Sequence, residues 1–466
     1  MTTRDRFDAV VATWLLERGP AGMRPAAIDD ALTAAARQPQ YQGLRGWLTG
    51  PAPWPAAGNL SIRRPSPAMR FALVAAFTAV AVVGATDGAA RLLGPAEVGA
   101  PTLRGVFEEL GSLPVQSTNI QLLPDGRLIL IGGAATARNG LGSLSNDPET
   151  IFAYDPLTGE SQPLATTSGS IDVAVPLLDG RVLLVEPSNP ARGGGSTLEI
   201  FDPATGSIDV VGPTLGSHLS GAAVRLEDGR VLLIGDAAGT ADAEIFDPTT
   251  GSLSPTGQTN AAMRQPTATL LPDGQVLIVG EWERTAELYN PVTNQFAPTG
   301  ALSALREAFS ATLLRDGRVL IAGGWTLEGT VVDGVLTPTA PAALAAAGEI
   351  YDPATGTFAP TGPMVTPRVY HFAVALADGR VLVGGGSASD RADPGSGGIV
   401  EPVAGTGELF DPATGSFTPT GTLNLPRFGS GAVRLDDGTV LVIGSVRPLG
   451  AASEPDPAAL SLEIYK

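Results

Sequence analysis

One phrase recurs seven times along this chain of 466 residues, and that repetition constrains the fold more than any other feature. The phrase is an apolar strand, an Asp-Gly turn, a second apolar strand, a loop, then Glu-apolar-aromatic-Asp-Pro. The Asp-Gly pairs begin at Asp125, Asp179, Asp228, Asp273, Asp316, Asp378 and Asp437, spaced 43 to 62 residues apart. Their partners are IFAYDP at 151–156, EIFDP at 199–203 and 244–248, ELYNP at 287–291, EIYDP at 349–353, ELFDP at 408–412 and a shortened EIYK at 463–466. A unit of this length carrying four short strands cannot cover both faces of its own sheet. Stacking such units around an axis solves that problem, so the spacing predicts an all-β, seven-bladed β-propeller over 104–466.

A single unit displays the logic. PTATLLPDG supplies strand one and its turn at Asp273-Gly274, QVLIVG strand two, AELYNP strand three, and QFAPTG strand four. Asp bonds the backbone just ahead of it, Gly accepts positive φ and Pro presets its own φ, so these segments form turns for stated reasons. The nearly unbroken apolar run of strand two fits a strand covered on both sides. The last unit stops at Lys466 before a fourth strand. GVFEELGSLP at 105–114 matches GSFTPTGTLNLP at 415–426 in its aromatic residue and closing proline, so 104–110 is expected to supply the missing outer strand and hide the open edge.

The units LLPDGRLILIGG at 122–133, LLRDGRVLIAGG at 313–324 and LADGRVLVGGG at 376–386 resemble kelch-type repeats, in the variant found in the central propeller of galactose oxidase. That resemblance implies a kelch-like β-propeller. The oxidase activity would further require copper held by histidines and tyrosines, one tyrosine being crosslinked to a cysteine. The chain has no cysteine, and its only histidines are His218 and His371. The activity is therefore not carried over, no catalytic residue is assigned, and no cofactor or metal is expected.

Ahead of the repeats, 1–50 reads as a small helical cytoplasmic segment and 51–67 as a Pro/Gly/Ala-rich linker. Residues 68–86 contain the apolar run FALVAAFTAVAVVGA, long enough for one transmembrane helix. Arg63, Arg64 and Arg70 precede it, which places the N-terminus in the cytoplasm and the propeller outside a cell membrane crossed once, with 87–103 as a second linker. Two alternatives stay open: a buried core helix, and a cleaved signal peptide beginning at Met69. The order of segments resembles bacterial membrane-anchored sensors, and the stub resembles the helical region of anti-sigma proteins without the histidine and cysteines of the zinc-binding type.

In this topology the Asp-Gly and Asp-Pro turns share one face, and the connections from strand two to three and from strand four to one share the other. The second face carries the length variation, at 134–149, 187–197, 325–348, 387–406 and 445–459, and variable loops on a rigid scaffold are where binding concentrates. AALAAA within 325–348 suggests a short helical turn. Arginines recur where strand one begins on that face: Arg264, Arg306, Arg368 and Arg427. With Tyr370 and His371 they form the candidate ligand site, a bidentate clamp for an anion such as a carboxylate. The competing reading pairs each arginine with a neighbouring blade through the repeated glutamates Glu199, Glu244, Glu287, Glu349, Glu408 and Glu463. Net charge is −18 and Lys466 is the sole lysine, which argues against nucleic acid. The expected function is a membrane-anchored monomer binding a surface protein or a glycan. The alternatives are a cell-surface hydrolase or lyase using Asp, Glu and Tyr in the loops, or a transmembrane signalling component.

Overall fold

The computed structural model describes residues 105–112, 116–123, 125–133, 148–187, 195–216, 218, 221–235, 242–260, 263–281, 284–332, 335–338, 343–388, 404–445 and 461–466. They form an all-β domain built from four-stranded antiparallel sheets, seven in number among the described residues. In chain order the sheets start with the strands Gln116–Leu122, Val173–Pro176, Ala222–Arg225, Arg264–Leu270, Ser310–Leu313, Phe372–Ala375 and Phe428–Arg434. Each of these first strands packs beside the first strand of the next sheet, and Phe428–Arg434 packs beside Gln116–Leu122, so the series returns on itself. The arrangement is propeller-like.

The second strands explain the core. Successive side chains of a strand point to opposite faces. Leu232 and Ile234 of the third sheet pack with Val276 and Ile278 of the fourth, whereas Leu277 and Val279 turn the other way to meet Val319 and Ile321 of the fifth. The same alternation joins every neighbouring pair, including the seventh sheet to the first through Leu441, Ile443, Leu128 and Leu130. There is one hydrophobic layer between each pair of sheets, and an unbroken apolar run is what a strand between two such layers requires.

The turns behave as their residues dictate. Asp125 accepts the amide of Arg127 at 3.1 Å and its side chain at 2.8 Å, while Gly126 takes φ of +85°. The Asp-Pro turns close by a bond from the Gly159 amide to the Asp155 carbonyl at 2.8 Å, repeated at the equivalent positions downstream.

The seventh sheet takes its outer strand from Phe107–Ser112, which pairs antiparallel with Ser461–Tyr465. The strand lies slightly downstream of the expected 104–110. Its aromatic explains the offset: Phe107 sits opposite Tyr465 with ring centroids 4.9 Å apart, and Val106 and Lys466 exchange backbone bonds beyond it.

Two expectations are corrected. AALAAA holds no helical turn among its described residues: Ala343–Leu344 is a strand in a small three-stranded sheet with Leu305–Glu307 and Trp325–Leu327, and Ala347 opens the next strand. Pairing with Trp325 and Thr326 satisfies backbone groups that a single isolated helical turn would leave open. The membrane placement is likewise overturned: among the described residues no helix is long and apolar enough to cross a membrane. The expected span at 68–86 lies outside the described residues, as do the helical segment at 1–50, the linkers at 51–67 and 87–103, and most of the connections at 134–149, 187–197, 387–406 and 445–459.

Candidate functional site

In the fifth, sixth and seventh sheets a repeated arginine meets a repeated glutamate. Arg306 donates to Glu349 from Nη2 at 2.9 Å, Arg368 to Glu408 at 2.8 Å, and Arg427 to Glu463 at 3.0 Å. In each pair the arginine precedes strand one and the glutamate lies on strand three of the same sheet. His218 takes the arginine's place in the third sheet, 3.1 Å from Glu244. The glutamates also accept backbone amides from the segment entering their sheet. Glu408 receives Val365 and Thr366, Glu463 receives Asn424 and Leu425, and Glu244 receives Leu215 and Gly216. The motif is a clasp that fastens the crossover from one sheet to the next.

This corrects the anion clamp. Arg368 and Arg427 are 0% exposed and Arg306 is 3% exposed, so their guanidiniums face carbonyls and a carboxylate rather than a ligand. Arg368 alone donates to the carbonyls of Thr366, Gly385 and Thr406 as well as to Glu408. Burial pulls the pKa of Arg368 and Arg427 below the ordinary arginine value, with the partner glutamates opposing. The competing strut reading is also amended, since the partner belongs to the arginine's own sheet. Arg264 pairs through its backbone with Glu281 in the fourth sheet.

Tyr370 and His371 separate from the arginines and from each other. His371 is buried, with Nε2 2.9 Å from Ser310 Oγ on the first strand of the fifth sheet. Its ring fills the space beside Gly323 and Gly386, where an added Cβ would stand 2.5 and 3.0 Å from ring and Cβ atoms. Burial, then the charge of Arg368, pushes its pKa down to about 3. It is a neutral packing residue.

Tyr370 belongs to a different group, which the sequence reading missed. Its ring meets Trp325 edge-on, with centroids 5.5 Å apart and planes at 85°. Trp325 sits directly opposite Glu307 in the pairing of Leu305–Glu307 with Trp325–Leu327. The Ala308 amide donates to Glu281 Oε1 at 2.6 Å, and the Tyr370 amide donates to the Ala308 carbonyl at 3.3 Å. Glu281 at the end of the fourth sheet's second strand, Glu307 and Trp325 in the small three-stranded sheet, and Tyr370 just ahead of the sixth sheet's first strand thus come to one place on the face of variable connections. Trp325 Nε1 is wholly buried and has no hydrogen-bond partner. Tyr370 holds φ of +51° and Ala308 +57°, conformations a side-chain-bearing residue adopts at a cost and which concentrate at functional sites. Burial first, and then the Glu307 charge, push the Glu281 pKa up to about 8 against the pull of the Ala308 amide. Burial and both glutamates also raise the Tyr370 pKa.

A signal for this group existed in the repeat. Where the fifth and sixth sheets carry Gly324 and Gly386, both at positive φ and without room for a side chain, the fourth carries Glu281. Where the sixth and seventh sheets carry Val369 and Phe428 after the arginine, the fifth carries Glu307. Carboxylates at positions the repeat assigns to glycine or apolar residues are departures without a role in the repeat itself.

No protein-family model matches the chain, and no curated protein matches it. Among solved structures it is similar to a protein described as a novel fungal alcohol oxidase with catalytic diversity among the AA5 family, in complex with copper. The TM-score is 0.58, the identity 18%, and the match covers 76% of this chain and 74% of that one. At that identity the likeness is one of fold. The residues here do not fit that metal: among the described residues no group of three or more His, Cys, Asp or Glu could hold an ion. Besides, His371 spends Nε2 on Ser310 and His218 spends Nε2 on Glu244.

Proposed function

We propose that the chain is a seven-bladed, kelch-type propeller that binds a glycan on its face of variable connections, in the corner formed by Trp325 and Tyr370. The carrying observation is that corner: two aromatic rings meeting edge to face at 85°, beside the carboxylates Glu281 and Glu307. A pyranose ring offers both complements, an apolar C–H face to lie on an aromatic ring and hydroxyl groups to donate to Glu281 and Glu307. A concave apolar wall with a few convergent polar groups is the usual form of a small-ligand site. The cyclic packing of seven first strands supports the seven-bladed reading, and the Asp-Gly/Glu-x-aromatic-Asp-Pro units support the kelch-type one. The opposite face repeats the same turns and offers little to distinguish one sheet from another.

A panel of immobilised oligosaccharides probed with the full chain tests this. Trp325→Ala is expected to lose at least about tenfold in affinity, roughly 1.4 kcal/mol. A variant at the exposed turn residues Leu157 and Val292 on the opposite face should bind as the parent does. Undiminished binding by Trp325→Ala, with its fold intact by circular dichroism, would move the site elsewhere.

A further inference from the structure

We infer that the outer edge of the second sheet takes up an extended, basic peptide of a partner protein as a fifth strand. An outer strand invites such pairing unless something blocks it. Five of the seven outer strands carry the block at one position. Pro163, Pro255, Pro298, Pro360 and Pro419 stand opposite the equivalent residue of strand three, which is Phe152 in the first sheet and Glu244, Glu287, Glu349 and Glu408 in the others. A proline donates nothing, so this position belongs to the pairs that exchange no bonds inside the sheet and turn their backbone groups outward. In the second sheet the residue opposite Glu199 is Val210. Its N–H and C=O, and those of Ile208 two residues earlier, therefore face away from the sheet. They have no partner on that side among the described residues.

The seventh sheet also lacks the proline, but its edge is guarded. Glu109 holds the position, Lys466 binds Glu108 at 2.6 Å, and the Asn424 side chain donates to the Phe107 carbonyl at 3.1 Å. Val210 is apolar and 64% exposed. The far end of its strand, Ser207–Pro213, is open too. An added Cβ at Gly212 would meet nothing within 4 Å, whereas the equivalent Gly257 and Gly300 lie against the carbonyls of Asn294 and Gly356 in the next sheet's turn.

Asp209 sets the charge of the occupant. It is exposed and lies between Ile208 and Val210, so an antiparallel strand bonded to those two residues places one side chain directly opposite it. A lysine or arginine there is favourable and a carboxylate is not. A second copy of this chain is the poorer occupant. Pairing Ile208 with the copy's Val210 gives the most backbone bonds, but it sets Asp209 against Asp209 between two chains that each carry a net charge of −18. The pattern that fits this edge is apolar, basic, apolar.

Fluorescence anisotropy with the full chain uses two labelled peptides of equal length, one alternating valine with arginine and one alternating valine with glutamate. The valine–arginine peptide is expected to bind at least about tenfold tighter. Val210→Pro installs what five other sheets already accommodate, so it should keep the parent Tm and lose at least about tenfold in affinity. Asp209→Lys should reverse the preference between the two peptides. Methylating the valine backbone nitrogens should remove binding, and methylating the arginine ones should leave it. No binding by the parent overturns the inference. Binding that survives Val210→Pro or valine methylation is attraction to net charge alone, and overturns it equally. A dimer in sedimentation velocity that Val210→Pro abolishes would make the occupant a second copy and overturn the partner peptide.

Discussion

Arg368→Ala should destabilise the domain without touching the proposed ligand site. The side chain is 0% exposed and donates five hydrogen bonds: to the carbonyls of Thr366 at 3.1 Å, Gly385 at 2.9 Å and Thr406 at 2.8 Å, to Thr406 Oγ1 at 3.1 Å and to Glu408 at 2.8 Å. Truncation strands the Glu408 charge in the interior, and breaking a buried pair from one side costs about 3–5 kcal/mol. Unfolding entropy of about 2.1 cal/mol/K per residue over about 360 residues is about 0.75 kcal/mol/K, so the Tm should fall by about 4–7 °C. Differential scanning calorimetry measures it directly. Arg368→Lys, which keeps the charge but loses the planar fork, should fall between. The double variant Arg368→Met with Glu408→Gln should recover part of the loss, because no uncompensated charge remains, although the single amide oxygen of Gln can accept from only one of Val365 and Thr366. A Tm for Arg368→Ala within about 1 °C of the parent would refute the clasp. If affinity were lost at the same time, the arginine would be restored as a ligand group.

Three further outcomes follow from the same structure. Glu281, with its pKa pushed up to about 8 from 4.5, binds a proton in the folded state that the unfolded chain gives up; stability should therefore fall as pH rises from about 4.5 to 8, and Glu281→Gln should flatten that limb in a Tm-versus-pH series. His371 has the opposite sign. With its pKa pushed down to about 3, the folded state refuses a proton that the unfolded chain accepts below about 6.5, so stability falls on acidification toward pH 3, and His371→Gln should lessen that fall. Phe107→Ala, at a site 4% exposed and packed at a tilt against Tyr465, should cost about 3–5 kcal/mol and expose the Ser461–Tyr465 edge to proteolysis, read by limited digestion; a neutral effect would deny the outer strand its role.

Some of this was legible in the chain and some was not. Asp-Gly and Asp-Pro-x-Thr-Gly turns are local chemistry, since Asp125 and Asp155 bond amides two residues ahead. Strand positions followed from them, and apolar runs such as Val276 to Val279 declared burial on both sides. The arginine clasp was half legible. Both residue types recur in register, but whether a guanidinium faces a channel or a carboxylate depends on its burial, which spacing along the chain does not report. Arg306 and Glu349 lie 43 residues apart and meet only because strands one and three share a sheet.

The sequence by itself determined the sheets, their number of strands and the turns between them, because those depend on interactions between residues that are near one another in the chain and repeat with it. Only the tertiary structure decided the site. Glu281, Glu307, Trp325 and Tyr370 lie far apart in the chain, in the fourth sheet, the small three-stranded sheet and the lead-in to the sixth sheet, and each looks incidental alone. They become one site because the first strands pack side by side, which brings the end of one sheet's second strand against the start of the next sheet, and because desolvation there makes Glu281 hold a proton that the free side chain would release.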